Sequence, residues 1–149
     1  MSVFIYYIDI FSGASCPTDF TLVGGKCYFI SKDRVGWIEA RKMCRQRAAL
    51  LVSLQTEEKK DMVKSLVSSH SRRRRSEYWL AGNDIEEEGE WEWARLRTRV
   101  PRFGWSEEPF NSPEENCLAW TVESQGRRDG TDFWHGSSCC NNLQYICEI

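Results

Sequence analysis

The chain has no C-x-x-C pair. Seven cysteines in 149 residues without one such pair argue against a zinc site, which draws its thiolates from close pairs of that kind. Histidine is scarce. His70, at a helix end, and His135 are the only two, and neither stands in a recognisable metal or nucleophile spacing; with no glycine-rich phosphate loop either, an enzyme is not expected. No apolar run is long enough to span a bilayer. An N-x-S/T acceptor is missing too, because Asn111-Ser112-Pro113 carries proline at its third position, so N-glycosylation is not expected. Neither sign of charge prevails, the net value being -2, and the aromatics read as core residues, which disfavours nucleic acid as a partner.

What the chain does have is a cysteine framework. Six of the seven fall into three pairs: Cys16 and Cys27 bracket a short N-terminal segment, Cys44 on a helical stretch answers Cys147 near the end, and Cys117 and Cys139 bracket a loop. Disulfides in a chain of this size point to an oxidising compartment, hence to a secreted, extracellular protein. Closing a loop of about 100 residues stabilises a fold by roughly 4 to 5 kcal/mol in the chain-entropy model. Cys140 is left over, either as a free thiol or as the link of a disulfide-bonded dimer.

The length suits one domain, and an apolar content of 41% supports a packed globule. Residues 1-15 form an N-terminal extension with two readings. Ser2 to Phe11 ahead of Ser12, Gly13, Ala14 and Ser15 suits a signal peptide cleaved near Ala14, although Asp9 and the lack of Lys or Arg in its first region argue against it. The other reading is a strand that pairs with the last one. Beyond it, Trp37, Ala40, Cys44 and Ala48 recur at helical spacing and predict a helix that buries Cys44. A short strand is expected over Leu50 to Leu54. Thr56 then makes an N-cap with Glu57 and Glu58 in the first turn, and Met62, Val63, Leu66 and Val67 give a second helix, ending near His70, its apolar face. Later strands are expected at Tyr78 to Ala81, Leu118 to Val122 and Gln144 to Ile149. Two helices early and strands late indicate an α+β fold without repeats.

Cys16-Pro17, Cys27-Tyr28-Phe29, the Trp37-x-x-Ala40-x-x-x-Cys44 helix, Trp79-Leu80-Ala81-Gly82, Glu88-Gly89-x-Trp91-x-Trp93, Glu115-Asn116-Cys117, Trp134 ahead of Cys139 and the closing Tyr145-Ile146-Cys147-Glu148 follow one another in order. Together they resemble the C-type lectin-like domain over residues 16-149. The resemblance implies a double-loop fold with two helices, a small antiparallel sheet joining the termini, three disulfides and a long excursion between Trp93 and Cys117; the Cys16 to Cys27 pair resembles the long form of the domain. A loop from Ala94 to Asn116 exceeds the usual length in a compact domain, and such loops generally carry function.

In sugar-binding members of that family, the resemblance implies a loop triplet and a strand triplet that together hold one Ca²⁺, to which sugar hydroxyls bind. Calcium takes about six to eight hard oxygens. Here the triplets read Glu108-Pro109-Phe110 and Trp134-His135-Gly136. Phe110, His135 and Gly136 replace three expected ligands, so that only Glu108 and Glu115 match the metal pattern, with Asn111 able to stand in if the loop shifts by one residue. The resemblance also implies a cis bond before Pro109, and packing against Trp105 is expected for Phe110. Ca²⁺ is therefore a doubtful cofactor.

A second reading rests on charge. In an extended Arg95-Leu96-Arg97-Thr98-Arg99 the three arginines point one way, and planar guanidinium groups suit sulfate, phosphate or carboxylate. The bland alternative is a solvated basic face answering the acidic stretch from Asp84 to Glu92. Arg72 to Arg75 form a further basic run, a loop patch or a dibasic processing site. The expected function is carbohydrate recognition of the innate-defence type, on microbial or matrix glycans, through the 94-116 loop and its neighbouring strand. Its rival is a calcium-independent module of the same fold that binds a protein or an anionic polymer through arginines.

Overall fold

The structure, a computed structural model, describes residues 15-106, 112-123 and 131-149. The extension 1-14 and the calls on Glu108, Pro109, Phe110 and Asn111 lie outside the described residues.

Among the described residues, eight strands and two helices follow in the order β1 (Thr21–Val23), β2 (Lys26–Ile30), α1 (Trp37–Gln46), β3 (Leu50–Leu51), α2 (Glu57–His70), β4 (Arg75–Asn83), β5 (Glu92–Trp93), β6 (Cys117–Glu123), β7 (Asp132–Ser137) and β8 (Gln144–Glu148). The sheet order is β1-β2-β8-β4-β6-β7, with β3 added to β8 and β5 to β4. The α+β class stands, but the sheet is mixed: β4 and β8 run parallel, Tyr78 beside Gln144 and Trp79 beside Tyr145. The pairing that brings the early and late chain together is antiparallel, as expected, with Phe29 opposite Cys147.

Helix α1 starts without a capping side chain at Gly36. Its Trp37 N–H donates instead to the Cys139 carbonyl at 2.9 Å, and a Cβ on residue 36 would stand 3.1 Å from that oxygen, so glycine permits the approach. The helix stops earlier than the periodicity predicts. Ala48 lies beyond it at φ 57°, because the Ala49 N–H turns back to the Cys44 carbonyl and aims the chain into β3. That strand is shorter than expected, and Val52 continues it by donating to Ile146 across a gap in the ladder. Helix α2 keeps its predicted start, since Thr56 Oγ1 accepts from the Lys59 N–H at 3.1 Å and satisfies one of the free first-turn donors.

Five tryptophans, Trp37, Trp79, Trp93, Trp120 and Trp134, are at most 1% exposed. Polar ends of three are satisfied at long range: Trp37 donates to the Leu80 carbonyl, Trp79 to the Val35 carbonyl and Trp120 to Asp132 Oδ2. The three cysteine pairs close as bridges Cys16–Cys27, Cys44–Cys147 and Cys117–Cys139, and Cys140 is free and exposed.

Candidate functional site

The long excursion is laid down on the sheet from its first residues. Ala94 N–H donates to Ala81, Trp93 to Thr98 and Val100 to Trp91, which folds the chain after β5 into a tight knot. Further on, Trp134 donates to the Gly104 carbonyl at 2.8 Å, and residue 104 must be glycine there because a Cβ would come within 2.2 Å of the Trp134 ring. Phe103 and Trp93 pack on that ring with centroids 5.1 and 5.6 Å away. Trp105 sets its edge against Trp91 at 5.1 Å. The return limb is held by Asn116 Nδ2, which donates to the Pro113 carbonyl, and then by Cys117.

The arginine comb predicted for this segment is not formed. Arg95 and Arg97 sit at φ 75° and 60°, left-handed values that break the alternation of an extended strand. Arg97 is bonded to Glu86 at 2.6 Å and to Glu92 at 3.1 Å, and Arg99 to Glu90 at 3.4 Å. The basic residues thus answer the acidic stretch. Arg95 is turned away from both and joins Arg41 and Arg45 along a cleft floored by Leu51 and Ala81.

The strand half of the expected calcium cage lacks its oxygens in space as in sequence. His135 is held between Thr121 Oγ1, 2.9 Å from Nε2, and its neighbour's carbonyl. At position 136 a Cβ would lie 3.0 Å from the Glu115 carbonyl oxygen and 3.4 Å from the Trp91 ring, so a carboxylate there would have to push the return limb away. Glu115 itself is exposed. The sugar-bridging calcium geometry therefore does not fit the described residues.

A different oxygen set, missed in the sequence, lies beside Glu115. Asp84 is 2% exposed. Its Oδ2 accepts from the Gly89 N–H at 2.8 Å, whereas Asp84 Oδ1 and Asn116 Oδ1 are buried without a partner among the described residues. The two residues adjoin, since the Asp84 N–H donates to the Asn116 carbonyl. Burial raises the Asp84 carboxyl above its ordinary range, against hydrogen bonds from Gly89 and Glu88. Glu88 is raised as well, by lost hydration and by the Asp84 charge. One carboxylate oxygen, Asp84 Oδ1, and one amide oxygen, Asn116 Oδ1, lack partners among the described residues, and with the neighbouring Glu88 they would suit a hard cation. In the sequence Asp84 and Glu88 are hidden within a run of acids that reads as a solvated face, and Asn116 lies far from them beside Cys117.

This pair sets a thermal test. Calcium at about tenfold over its Kd adds about 1.4 kcal/mol to the folded state, or about 3 to 6 °C in a chain of this length. The melting temperature is expected to rise by that amount over a chelator control in the wild type, and not in Asp84→Asn. Identical melting with calcium and with chelator in the wild type would overturn the cation reading.

The model of the lectin C-type domain matches residues 33–149. The chain belongs to the C-type lectin domain family. This lectin domain is 30% identical over 136 residues to C-type lectin domain family 4 member M of Hylobates lar, covering 89% of this chain and 31% of that protein. It thus spans about a third of the length of that relative. A perlucin-like protein of Mytilus galloprovincialis is 28% identical, with 99% of this chain and 94% of that protein covered. Among solved structures, the carbohydrate-recognition domain of the mouse scavenger receptor C-type lectin superimposes with a TM-score of 0.71 at 23% identity, covering 91% of this chain and 98% of that one. A Ca²⁺-dependent type II antifreeze protein superimposes at 0.70 with 25% identity, covering 90% and 99%. One fold therefore carries proteins named for different ligands.

Proposed function

We propose that this domain is a secreted carbohydrate-binding module that takes a sugar ring in the cleft between Trp105 and the 99-102 segment. The observation that supports this most directly is the cleft itself, about 220 Å³, which is walled by Trp91, Pro101 and Trp105 and edged by Glu90, Arg99 and Arg102. An aromatic face meets the apolar face of a pyranose, and charged groups at the rim meet its hydroxyls. Trp105 is half-buried and braced from behind by Trp91, so a ligand would find it ordered in advance. Three disulfides support an oxidising, extracellular setting, and its relatives include proteins named as lectins.

In this reading the sugar is held by side chains and not by a bridging calcium ion, so chelator leaves binding in place. On an array of neutral and acidic glycans, the wild type is expected to retain signal in chelator, and Trp105→Ala to lose at least about tenfold in affinity, near 1.4 kcal/mol. A wild type silent on every glycan would overturn the carbohydrate reading. Signal that vanishes in chelator, or that survives intact in Trp105→Ala, would overturn the cleft.

A further inference from the structure

A second cleft, about 540 Å³, lies elsewhere, between the end of β2, the exit of α2 and the start of β8. Lys32, Arg34, His70, Arg72 and Arg73 line it, and no acidic residue does. The site is some way from the ligand loop: Tyr78 at its floor stands about 16 Å along β4 from Asn83, the residue paired with Cys117, at about 3.3 Å per residue.

Both walls are fixed. On one side Ser31 Oγ donates to the Asp33 carbonyl and accepts from the Tyr145 N–H, and Gln144 Nε2 donates to the Ser31 carbonyl at 2.6 Å. On the other, Ser71 Oγ accepts from the Arg73 N–H at 3.2 Å and lies 2.8 Å from Ser76 Oγ. Asp33, the acid nearest in sequence, faces the Tyr145 hydroxyl at 3.5 Å. Among the described residues Lys32, Arg34, Arg72 and Arg73 form no ion pair, in contrast to Arg97 and Arg99, whose charges are matched. Four permanent positive charges around one concavity, unmatched and exposed, focus a positive potential that an anionic chain would neutralise.

The lining also narrows the class of anion. Bases are gripped by stacking on broad, open aromatic faces; of the two rings in this cleft Tyr78 is 1% exposed, and the small imidazole of His70 is tied through Nδ1 to the Leu66 carbonyl at 3.0 Å. Protein partners seat aromatic or apolar anchors in such hollows, and this floor offers only buried Tyr78 and half-buried Ile30. Guanidinium forks match the paired oxygens of sulfate and carboxylate groups. We infer that the Lys32–Arg34–Arg72–Arg73 cleft is a second binding site, for sulfated or uronate-rich polysaccharide, independent of the Trp105 cleft.

Heparin is the probe. The variant with Lys32, Arg34, Arg72 and Arg73 all changed to Ala is expected to bind immobilised heparin at least about tenfold more weakly at physiological salt, equivalent to 1.4 kcal/mol, and to lose most of its salt dependence. Its melting temperature and its signal on neutral glycans stay as in the wild type. The half-variants Lys32→Gln with Arg34→Gln, and Arg72→Gln with Arg73→Gln, each weaken heparin binding in part, which guards against a folding defect in the fourfold change. Changing Arg41, Arg45 and Arg95 to Ala leaves heparin binding unaltered. Wild-type affinity in the fourfold variant would overturn the site, and single-stranded DNA bound as tightly as heparin would overturn its assignment to polysaccharide.

Discussion

Replacing Cys44 and Cys147 by alanine together is expected to lower stability by about 4 to 5 kcal/mol. The bridge closes a loop of 103 residues, and its loss returns that freedom to the unfolded chain. Both cysteines are fully buried, joining α1 to the last strand. Since domains are commonly stable by only about 5 to 15 kcal/mol, such a variant lies close to its unfolding midpoint in water. The comparison that isolates the cause is Cys16→Ala with Cys27→Ala, which opens a loop of 11 residues and should cost about 3 kcal/mol or less on the same account. Urea titration of both variants measures the difference. Equal losses would show that buried packing, and not loop closure, dominates.

Asp132→Asn is the second large effect. The carboxylate side chain is 7% exposed and ion-paired to Lys60 at 3.1 Å and Lys64 at 2.9 Å, while Trp120 donates to it at 2.9 Å. Burial alone would raise this acid; the hydrogen bonds from Lys64, Trp120 and Lys60, with the Lys60 charge, outweigh that and hold it below its usual range. A carboxyl whose folded pKa is depressed stabilises the fold above its unfolded value, near 3.8, and that contribution is lost as pH falls through the folded pKa. In the amide variant Lys60, whose side chain is 10% exposed, keeps only Asp61 at 3.4 Å. Removing one partner of a buried pair costs about 3 to 5 kcal/mol. The loss is expected at neutral pH, with the variant's stability falling less steeply than the wild type's below about pH 4. Adding Lys60→Met recovers much of it, because the stranded charge is then gone. An Asp132→Asn protein with wild-type stability at neutral pH would mean that water already serves both lysines.

Much of this architecture was legible because its determinants are local or covalent. Thr56 with the acids after it marks the start of α2 from sequence alone, and the cysteine pairs close as read. Strand β7 was reached only through the resemblance, as the seat of the Trp134-His135-Gly136 triplet, since Asp132-Phe133-Trp134-His135-Gly136-Ser137 mixes charge, glycine and aromatics in no period of two. It is held by Thr121, which bonds His135, and by Gly104, whose carbonyl accepts from Trp134, partners distant in sequence. The parallel β4–β8 contact is equally nonlocal. At the site, Arg95, Arg97 and Arg99 misled because alternation was assumed where two positive φ values intervene. Trp105 and Asp84 look alike in sequence to any other aromatic and any other acid. Only the fold reveals that one leans on Trp91 while half-open to solvent and that the other has a carboxylate oxygen without a partner. Glu108, Phe110 and Asn111 lie outside the described residues.

The arrangement of the bridges also governs how the domain would answer to tension. A pull applied between residue 15 and residue 149 runs from Cys16 across to Cys27, along to Cys44 and across again to Cys147. Everything between Cys44 and Cys147, including the Trp105 cleft, lies off that line. Only the stretch from Cys27 to Cys44 can yield, to a span of about 60 Å at full extension of roughly 3.5 Å per residue, after the β2–β8 ladder shears. A domain tethered by its ends while holding a glycan on a surface would thus lengthen as a short spring, with its binding face left unloaded.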